Sequence, residues 1–294
     1  MKHWKKIILC TVITALVLLI LDIGRYFFYP HVSELAKNNP GKTAFMKYRE
    51  KIWRSKGIDR SISATWVPLS QVSPFVIKAV IIAEDDKFWS HEGFDFEAMQ
   101  KALEKDIQKK TFKAGGSTIS QQLAKNLYLT PAKNPIRKIK EAILTWRIEN
   151  HLTKRRILEL YLNVAEWGDG LFGIEAAARR YYRKPAKYLN AREASTLAAA
   201  LPNPRRFQPK GKSRYAANRA ERIYRIMLRR GMVIPAYRDI IGQNINNDHP
   251  DNAPASAEKQ SNDTIHENEN QFLPVGKESK ENNLDHPKVV KEVD

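Results

Sequence analysis

The sequence contains one cysteine, Cys10, so it can form no internal disulfide. Its seven histidines show neither an HxxH nor an HExxH spacing, which argues against a zinc site. Acidic residues are also scarce: 32 Asp and Glu stand against 50 Lys and Arg, and the formal net charge is +18. This excess predicts an anionic partner, either a nucleic acid, an anionic membrane surface or a phosphorylated substrate.

The few acidic residues are concentrated at the C-terminal end. Residues 245–294 hold 11 acidic residues and 5 lysines, a net charge of −6, so the rest of the chain carries +24. The same end is rich in Asn, Asp, Glu, Lys and Pro and poor in aromatic residues, which predicts a disordered acidic tail over residues 244–294. The whole chain of 294 residues is long enough for one sizeable domain with such appendages.

The longest apolar run lies near the N-terminus. Taken as one helix, residues 7–29 would be about 34 Å long, enough to cross a bilayer. Lys2, Lys5 and Lys6 precede the run and predict a cytoplasmic N-terminus. A cleaved signal peptide is the alternative, but no small-residue cleavage site follows Leu21. We therefore expect a transmembrane anchor over residues 1–29 and a juxtamembrane segment over residues 30–72.

Helix signals dominate the rest of the chain. Residues 61–67 alternate weakly and predict at most a short strand. Apolar periodicity and capping residues predict a mainly α-helical domain over residues 73–243. The predicted helices are 43–53, 75–83, 96–109, 117–129, 136–151, 153–162, 173–182, 190–201 and 213–230.

An acidic stretch, residues 84–93, directly follows the predicted helix 75–83. Ile77, Val80 and Ile81 share one face of that helix, and Glu84 takes the next position on the same face. A carboxylate at the end of an apolar stripe is unfavourable to bury unless it has a partner or a catalytic task. Two interpretations stay open here, an ion-paired helix end and a catalytic carboxylate.

A second polar stretch, residues 115–126, reads GGSTISQQLAKN. As a helix it places Ile119 and Leu123 on one face, and hydroxyls, amides and the cation of Lys125 on another. Two glycines lead into the helix start, where free N–H groups and the helix dipole favour an anion. The alternative is a capped helix with a solvated polar face.

The third stretch is RKIKE at residues 137–141. Arg137 and Glu141 are neighbours at i, i+4, and such a pair is common on surfaces and contributes about 0.2–0.5 kcal/mol. The functional alternative is a second carboxylate held beside cations. Glu84 and Glu141 would then flank a cationic strip, and paired carboxylates suit glycosyl chemistry. The cations suggest a phosphate or diphosphate leaving group, and the anchor suggests a lipid substrate.

Four ordered motifs resemble those of glycosyltransferase family 51, the peptidoglycan transglycosylases, over about residues 30–240. E-D-x-x-F-x-x-H-x-G is met at residues 84–93, and G-G-S-T-x-x-Q-Q-x-x-K-N at residues 115–126. R-K-x-x-E is met at residues 137–141, and the fourth motif spans residues 157–163 and 173–178. Residues 164–168, VAEWG, make the chain similar to the monofunctional members of Gram-negative bacteria.

The resemblance implies a lysozyme-like helical domain with a small membrane-proximal lobe, which joins lipid II units into β-1,4 glycan strands and releases undecaprenyl diphosphate. It implies Glu84 as the general base of an inverting reaction and Glu141 as a second catalytic residue that helps the diphosphate depart. Phe88, His91 and Gly93 are implied to shape the loop around Glu84. The implied substrate-binding residues are Asp85, Ser117, Thr118, Gln121, Gln122, Lys125, Asn126, Lys133, Arg137 and Lys138.

The resemblance also implies cofactors, partners and a location. No cofactor is obligatory, although a divalent cation, Mg²⁺ or Mn²⁺, is compatible with the diphosphate and would contact Glu141. The expected partners are lipid II, the growing glycan chain, membrane lipids and other cell-wall synthesis or division proteins. The catalytic domain is expected on the periplasmic side of the bacterial inner membrane, held by one membrane pass.

Two other classes remain open. A lysozyme-like or lytic enzyme would cleave purified sacculi without any lipid-linked substrate. A membrane-tethered nucleic-acid binder would rest on charge alone, and the sequence has no RRM, zinc-finger or helix-turn-helix signature, so we expect no nucleic-acid partner. The basic residues at 154–156 and 219–230 are interpreted as solvated helix surface rather than as contacts with lipid headgroups.

Overall fold

The structure is a computed structural model that describes residues 2–108, 116–132 and 134–233. Three regions singled out above lie outside the described residues: the Gly115 end of the second motif, Lys133, and the predicted acidic tail at 244–294.

The described chain is mainly α-helical, and this prediction is confirmed. The predicted helices from residue 43 onward are present, with ends that differ by at most two residues. The helices are α1 (Lys2–Gly24), α2 (Ala44–Ser55), α3 (Pro74–Glu84), α4 (Phe96–Gln108), α5 (Ile119–Tyr128), α6 (Pro135–His151), α7 (Lys154–Val164), α8 (Ile174–Tyr182), α9 (Ala191–Ala200) and α10 (Arg214–Arg229). Short 3-10 helices occupy Arg25–Phe27, Val32–Ala36, Leu69–Gln71 and Ala186–Tyr188.

A small sheet accompanies the helices. Its strands are β1 (Ser63–Ala64), β2 (Glu166–Gly168) and β3 (Leu171–Phe172), in the order β1-β3-β2. β1 runs parallel to β3, and β2 is antiparallel to β3. The strand predicted at 61–67 is thus only two residues long, and β2 and β3 were not predicted. Strands of two or three residues are too short to show an alternating pattern.

The N-terminal helix ends earlier than predicted. α1 ends at Gly24 instead of continuing to residue 29. In a continuing helix the carbonyl of Tyr26 would accept from the N–H of residue 30, but Pro30 has none. The buried guanidinium of Arg147 replaces that donor and bonds the carbonyls of Tyr26 and Phe28. Among the described residues, one candidate span, His3–Ala36, is long and apolar enough to cross a membrane, and its continuous α-helical part is α1.

Packing of the helices brings the three motifs together. α3 packs against α9 and α10, while α5 packs against α6 and α7. Ser73 caps α3 and Pro74 opens it, as predicted. Val80 and Ile81 of the predicted stripe are buried, together with Val76 and Ala79, whereas Ile77 is only half-buried. Helix burial therefore fixes the end of α3, and with it Glu84, near the polar side of α5.

Candidate active site

Glu84 is the last residue of α3, and its side chain is 10% exposed. One carboxylate oxygen accepts a hydrogen bond from Gln122 Nε2 at 2.9 Å, and the other accepts from an Arg219 guanidinium nitrogen at 3.2 Å. Burial raises the pKa of Glu84, and the Gln122 hydrogen bond and the charges of Arg219 and Lys125 only partly oppose it. A carboxylate with raised proton affinity and a nearby cation suits proton abstraction.

Tyr161 on α7 fixes the orientation of Gln122. Its hydroxyl donates to Gln122 Oε1 at 3.2 Å, and burial raises the pKa of Tyr161 well above its usual range. The phenol therefore stays protonated and acts as a donor. Because the amide oxygen of Gln122 faces Tyr161, its NH₂ group is directed at Glu84.

The loop after α3 is built around Asp85 and His91. Asp85 is buried, and its two oxygens contact His91 Nε2 and the backbone N–H of Ile119, each at 2.9 Å. His91 Nδ1 accepts from the Gly93 N–H at 3.0 Å, so the neutral ring carries its proton on Nε2 and donates it to Asp85. The loop is thereby tied to the start of α5.

Gly93 and Phe88 complete this loop. Gly93 has a φ of +90°, and a Cβ there would lie 2.9 Å from side-chain carbons of Thr145 and Glu149. Phe88 is fully buried, with its ring centroid 5.0 Å from that of Trp89. These contacts hold the loop after α3 in place, and the roles of Phe88, His91 and Gly93 at the site stay predictions.

The start of α5 is a capped helix, one of the two alternatives that the sequence left open, but its capping residues are buried rather than solvated. Thr118 and Gln121 form a reciprocal capping box and are both buried, and Thr118 also donates to the Gly93 carbonyl at 2.7 Å. The predicted anion at this helix start is the carboxylate of Asp85, bonded to the Ile119 N–H. The start of α5 is therefore occupied from within the chain, and the structure gives Asp85, Thr118 and Gln121 a positioning role. Their binding of substrate stays a prediction.

Ser117 and Asn126 lie at the two ends of the same stretch. Ser117 is half-buried just before α5, and Asn126 is 8% exposed within it. Neither side chain has a recorded hydrogen bond within the described ranges, so their substrate roles stay predictions.

Glu141 lies near the start of α6 with its side chain 3% exposed. One oxygen accepts from Arg137 at 2.5 Å and the other from the Lys138 ammonium. Arg137 also bonds the Ala132 carbonyl at 2.5 Å, which fixes the guanidinium. The simple surface-pair interpretation is therefore wrong, because this carboxylate is buried between two cations.

Lys125 links the two glutamates. Burial lowers the pKa of Lys125, Glu141 and Glu84 raise it, and Arg137 and Lys138 lower it. Lys125 lies on α5, which packs against the helix that carries Glu141, Arg137 and Lys138. No hydrogen bond or ion pair of Lys125 occurs within the part of the chain that the structure describes. A half-buried ammonium without a fixed partner among the described residues, next to two further cations, suits a transient anion such as a diphosphate.

Arg219 was missed by the sequence interpretation, which treated α10 as solvated surface. Its guanidinium bonds both the Ala83 carbonyl at 2.7 Å and Glu84 at 3.2 Å. The signal was present in the sequence: Arg219 precedes buried Ile223 by four residues and buried Met227 by eight, so it lies on the core-facing stripe. Further along, Arg230 forms a bidentate pair with Asp86, at 2.5 and 2.7 Å.

The basic side chains at the start of α7 also contact other parts of the fold, which was not expected. Lys154 bonds Glu149 at 2.8 Å and lies over the Phe88 ring, 4.8 Å from its centroid. Arg156 bonds the carbonyl of Leu35 at 2.8 Å. These two side chains hold parts of the fold together, so interpreting them as solvated surface was wrong.

The residues around Glu141 do not fit a resident divalent cation. Both of its oxygens bond cationic side chains, which repel a metal ion. Across the described ranges, no group of three or more His, Cys, Asp or Glu could hold a metal ion. The reaction proposed below therefore uses only side chains of the protein.

Two largely buried carboxylates on separate helices, with cations beside them, suit a helical enzyme of glycosyl chemistry. A family model described as Transglycosylase matches residues 51–228. The biosynthetic peptidoglycan transglycosylase of Azoarcus sp. is 48% identical over 204 residues, which cover 69% of this chain and 88% of the relative. That of Aromatoleum aromaticum is 53% identical over 61% of this chain and 78% of its own length. That of Janthinobacterium sp. is 42% identical over 77% of this chain and 97% of its own length.

The chain belongs to the transglycosylase family, among the biosynthetic peptidoglycan transglycosylases, and is a glycosyltransferase. The resemblance inferred from the four motifs is confirmed, and so is the lysozyme-like helical class.

Proposed function

We propose that this glycosyltransferase polymerises lipid II into β-1,4 glycan strands and releases undecaprenyl diphosphate. The observation that carries the proposal is the placement of half-buried Lys125 on α5, which bonds Glu84 through Gln122 and packs against α6, the helix of Glu141 and its two cations. A base on one side and a cationic group on the other match a reaction in which a hydroxyl attacks and a diphosphate leaves.

Glu84 takes the proton from the 4-hydroxyl of the acceptor's N-acetylglucosamine. The freed oxygen attacks the anomeric carbon of the donor's N-acetylmuramic acid while the bond from that carbon to the diphosphate oxygen breaks. The bonding electrons leave with the diphosphate. Attack opposite an α-linked leaving group forms a β-1,4 bond with inversion, and Glu84 then returns its proton to solvent.

The charge that develops on the diphosphate is held by cations of α5 and α6. Lys125 and Arg137 are the residues we assign to it, with Lys138 at the more exposed edge. Glu141 orients Arg137 and Lys138 through its two hydrogen bonds, so it acts on the leaving group through them. Lys133 remains a predicted further contact.

We also propose that α1 anchors the chain in the bacterial inner membrane with the catalytic domain on the periplasmic side. Its length and apolar composition support the span, and the lysines before it support a cytoplasmic N-terminus. The polyprenyl tail of the substrate would lie in the same membrane. Other cell-wall synthesis or division proteins are further proposed partners.

Incubation of the detergent-solubilised protein with labelled lipid II tests this function. We expect a polymer that lysozyme digests. Absence of polymer with intact, folded protein would refute the assignment. Release of soluble fragments from purified sacculi, without a lipid-linked substrate, would favour the lytic alternative instead.

A further inference from the structure

The exposed side of α6 faces away from Glu141 and is apolar. Ile139, Ile143 and Trp146 lie along one line of the helix by their spacing, and we call them the α6 outer stripe. Ile139 and Trp146 are 49% and 52% exposed, and Ile143 is half-buried. Buried Glu141, Leu144 and Ile148 occupy the opposite side of the same helix.

The end of α1 is bound directly beside this stripe. Arg147, 6% exposed, donates to the carbonyls of Tyr26 and Phe28 at 3.0 and 3.1 Å. Lys140 bonds Asp22 and lies over the Tyr26 ring, 5.1 Å from its centroid. These bonds fix α6 against the segment where the apolar helix ends.

Aromatic side chains continue the stripe onto that segment. The rings of Phe27 and Trp146 meet edge-on with centroids 6.4 Å apart. Phe28 and Tyr29, which follow, are 81% and 59% exposed. Clusters of Trp, Tyr and Phe at the end of an apolar span are typical of the membrane–water interface.

We propose that the α6 outer stripe lies in the headgroup region of the same membrane leaflet from which α1 emerges. The occupant is the lipid surface, because the stripe is continuous with the end of the apolar span through Phe27 and Trp146. α6 then lies along the membrane surface with Glu141 on its inner side. On the proposed function, this holds the diphosphate-binding cations about one helix diameter, roughly 10 Å, from the lipid headgroups.

Spin labels on single cysteines test the position of the stripe. Ile139→Cys and Trp146→Cys are each made in a Cys10→Ser background and reconstituted into phosphatidylethanolamine–phosphatidylglycerol vesicles. Accessibility to oxygen and to a water-soluble nickel chelate is then measured. We expect both labels to be less accessible to nickel and more accessible to oxygen than a label on a solvent-exposed part of the domain, because an interfacial apolar face lies about 5–10 Å into the boundary between headgroups and acyl chains.

Two controls keep the outcomes distinct. Natural Cys10, within α1, reports whether the anchor is in the bilayer, since the anchoring is itself proposed above. Tyr188→Cys is made in the same Cys10→Ser background and replaces another exposed aromatic side chain. Tyr188 is 64% exposed and lies in a 3-10 helix that packs on α8, so its label should be accessible to nickel.

Three results would overturn the proposal. Labels at 139 and 146 that behave like the label at 188, while Cys10 is in lipid, refute the stripe alone. A Cys10 label open to nickel refutes the anchor and the stripe together. Labels at 139 and 146 closed to both reagents indicate that a protein covers the stripe, and that protein is a second copy of this chain if either single-label variant also shows spin–spin broadening.

Discussion

Glu84 and Glu141 are both nearly buried, but their partners differ in charge. Glu84 bonds one neutral amide and one guanidinium, and burial still raises its pKa. Glu141 bonds two cations, one on each oxygen. The same residue type is thus given two different tasks by its surroundings, with Glu84 suited to accept a proton and Glu141 to hold cations in place.

Replacing the proposed base should have the largest effect. We expect Glu84→Gln to lower the polymerisation rate by about 10²- to 10⁴-fold, the usual contribution of a general base, with lipid II binding retained. Rate and binding are measured separately on labelled lipid II. Glu97→Gln, which removes an exposed carboxylate on α4, is the matched control and should keep its rate. Near-normal turnover of the Glu84 variant would refute the assignment.

The second glutamate should matter through its cations. Glu141→Gln should reduce the rate by about 10²-fold, because Arg137 and Lys138 lose the group that orients them. Unlike the Glu84 variant, it should also lower the melting temperature, since removal of one partner leaves buried charge uncompensated. An unchanged rate would show that Glu141 only stabilises the fold.

The melting temperatures of the two variants should change in opposite directions. The folded-state pKa of Glu84 is raised, so its ionisation destabilises the fold as pH rises through that pKa. We expect Glu84→Gln to melt higher than the natural protein at alkaline pH, and the difference to vanish in acid. Thermal unfolding across a pH series measures this, and a lower melting temperature at every pH would contradict it.

Substitutions at Lys125 test whether its ammonium binds the diphosphate. Lys125→Ala should weaken binding of undecaprenyl diphosphate by about 10- to 100-fold, the contribution of one charged hydrogen bond. Because burial lowers the pKa of Lys125, binding by the natural protein should also weaken as pH rises through that pKa. Lys125→Arg should remove this alkaline loss. Lys42→Ala, an exposed lysine, is the control and should bind normally.

A substitution at Arg219 tests how its charge affects the pKa of Glu84. Its charge opposes the raised pKa of Glu84, so Arg219→Gln should raise that pKa further. The acidic limb of the rate profile should then move to higher pH, with the rate at alkaline pH changed much less. A uniform loss at every pH would indicate a structural role instead. Arg225→Gln, on the exposed side of α10, is the control.

Tyr161→Phe should give the smallest effect. It removes only the hydroxyl that orients Gln122, and one such hydrogen bond contributes about 1 kcal/mol, so we expect a loss of about three- to ten-fold in rate. Packing around the ring should be unchanged, with little shift in melting temperature. A loss as large as that of Glu84→Gln would assign Tyr161 a direct part in the chemistry.

Much of the site was visible in the sequence because its residues fall in three short motifs. Helical spacing places Gln122 and Lys125 on one face of α5, and it places Arg137 and Glu141 on one face of α6. The role of Asp85 was not visible, because no local pattern shows that its carboxylate caps α5, 34 residues further along the chain. The strands β2 and β3 were not predicted because they have three and two residues, too few to show the alternating pattern that indicates a strand.

The sequence by itself determined the helices, the apolar span and the family, because periodicity, capping residues and motifs are local properties of the chain. Only the tertiary structure decided which charges meet. Arg219 reaches Glu84 from 135 residues away, and Lys140 reaches Asp22 from 118 residues away. Such pairs depend on how helices pack against one another, and packing is set by the whole core rather than by any single segment.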